Sequence, residues 1–316
     1  MVSEKYRINI KTYPFFTEEE ARERDAKIAS KYPQAKGKII PYLNVQGDRD
    51  FGGTDHIFRI NWVTAPFSIG IKGRIHNHHQ YFGFVSGDTR DAENLGGEVD
   101  FHFGEEEKKF TFDKNTIIHI LPGVVHNPLV FKRVDRPFLW LEYINLPRYL
   151  EATLETLNEG KPIEGIDPSE YGKYIKSAPF VTPEQRAEMD RRRPEWKGMG
   201  GSMLSIRANR YFGDASLALG YVNKPHRMVS LNHAHNFHVY LVFLGSDSNN
   251  PGDLGGEALI YLGQEQEPYV VDKPQVIHMA PGQHHCPLDF TKINRPMIWG
   301  EIFLSPYYIQ LAKALP

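Results

Sequence analysis

Cysteine is nearly missing from these 316 residues, Cys286 being the single one. One cysteine can form no intrachain disulfide and builds no Cys-only zinc or iron–sulfur site. Long apolar runs are missing too. None approaches the roughly 20 residues that a membrane-spanning helix needs, so a membrane is not an expected partner. The opening residues MVSEKYRINI are polar and charged, without the apolar core of a signal peptide, and the chain reads as cytoplasmic. Nor is there an excess of one charge, since 37 basic and 39 acidic side chains give a formal −2. No basic stripe stands out, so nucleic acid is not an expected partner either. What is present is the composition of a folded globular chain, 41% hydrophobic and 24% charged. The length suits about two domains, each with its own core. Fourteen histidines, several of them clustered, contrast with the lone cysteine. A metal here would have to be held by imidazole and carboxylate.

The chain repeats itself at a shift of 159 residues. Leu95-Gly-Gly-Glu98 falls on Leu254-Gly-Gly-Glu257, and the run from His119 to Phe131 falls on that from His278 to Phe290. Between Asp113 and Tyr149, 16 of 37 positions are identical without a gap. A repeat of this length is a duplicated domain rather than a solenoid unit. Within each copy the pattern is of short runs rich in aromatic and β-branched residues, separated by Gly or Asp: YFGFVSGD, GEVDFHFG, KKFTFD and TIIHILPG in the first, HVYLVFLGSD, GEALIYLG, EPYVVD and QVIHMAPG in the second. Many short strands between turns predict an all-β fold, an antiparallel sandwich or barrel in each copy. Helices are expected outside the strands. Thr17 and Glu20 form a capping box before one, another follows Thr182-Pro183, and Pro-led stretches from Pro147 and Pro306 read as helices closing each copy. The run Arg191-Arg192-Arg193 reads as a solvated linker face.

The second copy carries His233-Ala-His235-Asn-Phe-His238 and then Pro281-Gly-Gln-His284-His285; the first carries Arg74-Ile-His76-Asn-His78-His79 and then Pro122-Gly-Val-Val-His126. This arrangement resembles the cupin superfamily, whose motifs are an HxH pair followed by glutamate and a Pro-Gly turn followed by histidine. The resemblance covers residues 55–150 and 214–309 and implies a bicupin, two tandem jelly-roll barrels with peripheral helices. Residues 1–54 would form an N-terminal extension with a helix, 151–213 a helical linker, and 310–316 the end of a C-terminal helix. His238 stands where the family usually has glutamate. Arg74 stands where the second copy has His233, and a guanidinium has no lone pair for a metal. The candidate ligands are therefore His233, His235, His238 and His285 in the second barrel, with His76, His79 and His126 a less complete set in the first. His233 and His235 share a face of a strand, but His238, three residues on, needs a bulge to turn inward. His119, His278 and Cys286 read as structural, and Glu142 and Glu301 as ion-pair partners of Arg136 and Arg295.

Neutral imidazoles suit one divalent first-row transition ion: Fe, Mn, Zn, Ni, Co or Cu. Such an ion keeps nearly its full charge and acts as a strong Lewis acid towards an anionic small-molecule substrate. The leading expectation is a metal-dependent dioxygenase of a phenolic or β-diketone compound. The alternatives are an oxygen-independent hydrolase, lyase or isomerase, with Glu257 as its general base, and a non-catalytic ligand-binding bicupin. The pattern is also compatible with a homo-oligomer.

Overall fold

The structure, a computed structural model, describes residues 4–52, 56–70, 72–145, 151–153, 167–194, 197–198, 200–206, 214–305 and 310–312. Among these, no helix is long and apolar enough to cross a membrane.

Alternation in the sequence becomes sheet. In His56–Val63, Phe58, Ile60 and Trp62 are fully buried while Ile57, Arg59 and Asn61 alternate with them on the other face. The chain divides into two compact units, residues 16–178 and residues 1–15 with 179–316. In the first, one antiparallel sheet runs in the order Ile175–Ser177, Thr116–Ile120, Gln80–Ser86, Phe138–Asn145, His56–Val63, Ile39–Gln46. The other runs Glu151–Thr153, Arg74–His76, His126–Val134, Asn94–Phe103, Lys108–Lys114, with Phe67–Ile69 also on His126–Val134. The second unit repeats both sheets. Its first has Ile10–Thr12, Gln275–Met279, Val239–Gly245, Met297–Phe303, Ser216–Val222 and Gly200–Ile206; its second has Glu267–Val271, Gly256–Leu262, His285–Ile293, His233–His235 and Gln310–Ala312, with His226–Val229 on His285–Ile293.

The unit boundaries differ from the expected 55–150 and 214–309 because each barrel takes edge strands from outside its motif region. Ile10-Lys-Thr12 pairs with Gln275–Ile277, and Ile175-Lys-Ser177 pairs with Thr116–Ile118. The two segments are themselves a repeat, at a shift of 165 residues, which continues into the capping boxes Thr17/Glu20 and Thr182/Gln185 and the helices Glu18–Lys31 and Pro183–Arg192. The segment preceding the first barrel therefore completes the second. The Pro-led stretches are not the expected helices where they are described: Glu151–Thr153 and Gln310–Ala312 are strands paired with Arg74–His76 and His233–His235. Residues 146–150 and 306–309 lie outside the described residues. The arginine run is exposed, with Arg191 and Arg192 paired to Glu188.

The repeated Leu-Gly-Gly-Glu has a backbone cause. Gly96 and Gly255 take φ +80° and +84°, a region costly for other residues. A Cβ on the next glycine would stand 2.4 Å from the Arg133 carbonyl or 2.3 Å from that of Lys292. Each barrel has its own core. Phe131 packs on Phe67 at 4.5 Å between centroids and on Trp140 at 5.6 Å, while Phe290, its repeat partner, packs on Trp299.

Candidate metal centre

Three of the four expected ligands in the second barrel converge. The His233 ring lies 4.9 Å from His235 and 4.5 Å from His285, and His235 lies 5.3 Å from His285, centroid to centroid. All three are buried. Strand alternation brings His233 and His235 to one face, and the pairing of His233 with His285 supplies the third ring from a distant segment. Nδ1 of His233 donates to the Leu231 carbonyl at 2.9 Å and Nδ1 of His285 to that of Gln283 at 3.2 Å. A carbonyl only accepts, so Nε2 of each ring keeps its lone pair, the tautomer a metal ligand needs. Burial, reinforced by His233 and His235, pushes His285 down to about 3, and burial lowers His233. Both stay neutral and able to donate at pH near 7.

His238 joins a different pair. Its Nδ1 lies 2.8 Å from Nε2 of His278, whose ring stacks on Tyr240 at 4.8 Å. The first copy repeats this, with His79 Nδ1 2.8 Å from His119 Nε2 and His119 stacked on Tyr81. The chain bends at Asn236 and Phe237 between the strands His233–His235 and Val239–Gly245, which belong to different sheets, and His238 stands after that bend beside His278.

Cys286 takes the place beside the trio instead. Ligand atoms of His233, His285 and Cys286 all lie within 4.8 Å of one another, a group that does not include His235, whose ring neighbours both histidines by centroid distance. Adjacent residues of a regular strand point to opposite faces, but Cys286 has φ +74° and sits where the ladder with Gly256–Leu262 shifts register. That kink turns both side chains inward, which strict alternation could not foretell. Burial pushes the thiol well above its ordinary value.

Glu257 does not belong to this cluster. It lies opposite Lys292, accepts a hydrogen bond from Thr291 Oγ1 at 2.8 Å, and stands five residues along its strand from Leu262, the residue opposite His285. At roughly 3.3 Å per residue that is about 17 Å, too far for a base at the trio. Glu142 pairs not with Arg136 but with Arg59 at 3.0 Å; Arg136 and Arg295 bind Asp88 and Asp253 instead.

The first barrel holds a different arrangement. His76 and His126 are 4.7 Å apart, with His78 stacked on His76 at 4.0 Å. His76 Nε2 lies 2.8 Å from Gln80 Oε1, and Gln80 Nε2 donates to Glu142 at 2.6 Å. His126 donates Nδ1 to the Val124 carbonyl, and its buried Nε2 has no hydrogen-bond partner among the described residues. In this barrel a cavity of about 650 Å³ is lined by Arg24, Arg59, Asn61, Arg74, Trp140 and Glu142 among others. The corresponding cavity in the second barrel is about 210 Å³, lined by Met189, Ala218, Gly220 and Trp299 among others. The alternation of Arg59 and Asn61 with Phe58, Ile60 and Trp62 was the available signal for the larger cavity. Arg24 gave none, because only the tertiary fold lays its helix over the barrel.

The chain is similar to solved structures of oxalate decarboxylase from Bacillus subtilis. One matches with a TM-score of 0.52 and 11% identity, over 90% of this chain and 84% of that one. Another, concerned with the Mn(II) centres of that enzyme, matches with a TM-score of 0.51 and 10% identity, over 90% and 85%. Vicilin from hazelnut, Corylus avellana, matches with a TM-score of 0.50 and 8% identity, over 81% and 77%. No protein-family model and no curated protein matches the sequence. At these identities the likeness is one of fold.

Proposed function

From a bicupin fold, two jelly-roll barrels in one chain, we propose a metal-dependent enzyme that acts on a small oxygen-rich or enolisable substrate. Its divalent first-row ion is held in the second barrel by His233, His235 and His285. The observation that carries this reading is the clustering of three buried imidazoles, two of them, His233 and His285, neutral and locked by backbone carbonyls with the Nε2 lone pair free. The residues fit such an ion, and Cys286 is close enough to bind it or to border it. When bound, the ion supplies Lewis acidity for a substrate that binds as an anion. The chain's own part is to hold the three rings, keep His233 and His285 unprotonated and exclude water with Phe237 and Phe303, which pack against His235.

Two reactions suit that site. The neutral donor set favours dioxygenation of a phenolic or β-diketone substrate, because an anionic substrate offsets the charge of the ion. The likeness to oxalate decarboxylase favours a lyase. Oxygen uptake by metal-loaded protein, measured with catechols, β-diketones and small dicarboxylates and repeated anaerobically, separates them. Turnover that stops without oxygen supports the dioxygenase, and turnover that persists supports the lyase. A protein that binds metal at the trio and turns over none of these in either atmosphere would refute the enzyme reading in favour of a binding protein.

A further inference from the structure

The first barrel departs from the second at a set of positions that face one cavity. At the repeat shift, Arg59, Asn61 and Arg74 replace Ala218, Gly220 and His233, and on the roofing helix Arg24 replaces Met189. The substitutions share a sense. They put cations and hydrogen-bonding groups where the second copy has small or apolar residues or a neutral imidazole, and the cavity they line is about 650 Å³ against about 210 Å³. The larger value lies within the range of roughly 300–1,000 Å³ common for organic ligands.

We infer that the first barrel is a metal-independent binding chamber for a small organic carboxylate with an apolar body. The charge count asks for an anion, since the lining carries six cationic residues against three carboxylates. Glu142 is already committed. It pairs with Arg59 at 3.0 Å and accepts from Gln80, and although burial acts to raise it, Arg59 and Arg74 hold it below its ordinary value. Arg24 has no such partner. Its Nη2 donates to the neutral Asn61 side chain, while its Nη1 is buried with no hydrogen-bond partner among the described residues. Burial and the nearby Arg59 draw Arg24 down to about 10, so it remains a cation at neutral pH. A largely desolvated guanidinium without an ion-pair partner is costly unless an anion occupies the space before it, and its planar fork suits a carboxylate. Part of the wall is apolar, with Phe82, Trp140 and Ile144 among its members, which calls for an organic body beside the charge. A metal is not needed here, because Arg74 supplies fixed positive charge where the second barrel has His233.

The test is isothermal titration of chelator-treated, full-length protein with benzoate, phenylacetate and naphthoate, beside the matching amides and inorganic phosphate. At least one carboxylate should bind saturably, with its amide about tenfold weaker or more. Arg24→Gln should weaken binding by about the same factor, and Arg24→Lys should fall between. Arg90→Gln, which alters an exposed arginine paired with Asp88, should change nothing. Without ligand, the Tm of Arg24→Gln should hold or rise, because a desolvated cation without an ion-pair partner is gone. The proposal is overturned if no carboxylate binds, if amides or phosphate bind as well as carboxylates, or if Arg24→Gln binds normally. A fall in its unliganded Tm would assign Arg24 a structural role and overturn it too. Since all of these measurements use metal-free protein, their failure leaves the reading of the second barrel standing.

Discussion

Acid should unfold the metal-free protein by way of its buried imidazoles. Burial pushes His76 and His278 down to about 4, with Arg74 and His238 respectively adding to the effect, and pushes His285 down to about 3, all from an ordinary 6.5. The sign follows from which state binds the proton. These groups are harder to protonate when folded, so below pH 6.5 the unfolded chain takes up protons that the native state refuses. Stability is therefore fully present above about 6.5 and falls as the pH drops towards about 4, levelling off below the folded values. At about pH 5 each such histidine costs about 2 kcal/mol relative to pH near 7.5. His278 and His285 together remove about 4 kcal/mol from the second unit, and His76 removes about 2 from the first, with His126 shifted in the same direction. Against a total of roughly 5–15 kcal/mol for a domain, this lowers the Tm of the second unit by about 8–16 °C. The measurement is calorimetric unfolding of chelator-treated protein at the two pH values. His278→Gln should remove about half of the loss in the second unit. A Tm that is unchanged or higher at the acidic pH would show that these rings are not buried neutral, and the packing described for both histidine clusters would be wrong.

Metal content separates the histidines: His235→Ala and His285→Ala should strip the ion, whereas His238→Ala should retain it because that ring serves His278; loss of metal in His238→Ala would restore it as a ligand. Cys286, buried with its thiol pushed up, should resist thiol reagents in the native state and react only on unfolding, so rapid stoichiometric labelling of folded protein would contradict its placement. In Co(II)-loaded protein a thiolate-to-metal absorption band lost in Cys286→Ser would make it a ligand, and an identical spectrum would make it a neighbour only. Phe131→Ala should cost about 3–5 kcal/mol, read by urea unfolding, since its ring fills a stack with Phe67 and Trp140; a cost below about 1 kcal/mol would mean the core collapses around the gap.

Much of this molecule was set by local pattern. The 159-residue repeat, the strand alternation and the turn glycines each constrain the backbone over a few residues, so two similar β-barrels were legible without coordinates. His233, His235 and His285 were legible for the same reason: two share a strand face, and the third follows a Pro-Gly turn that recurs in both copies. The remainder depended on where distant segments meet. His238 met His278 because the chain bends at Asn236 and Phe237 and passes to the other sheet, and Cys286 turned inward because its left-handed backbone sits in a register shift. Nothing local announces either. Glu257 looked near the histidines as part of a repeated motif, yet an extended strand carries it about 17 Å away. The exchange of Ile10–Thr12 and Ile175–Ser177 between barrels, and the laying of Arg24 over a cavity, are long-range choices. Short strands and amphipathic turns specify their own shape, but which edge they complete is decided only by the burial and hydrogen bonding of the whole fold.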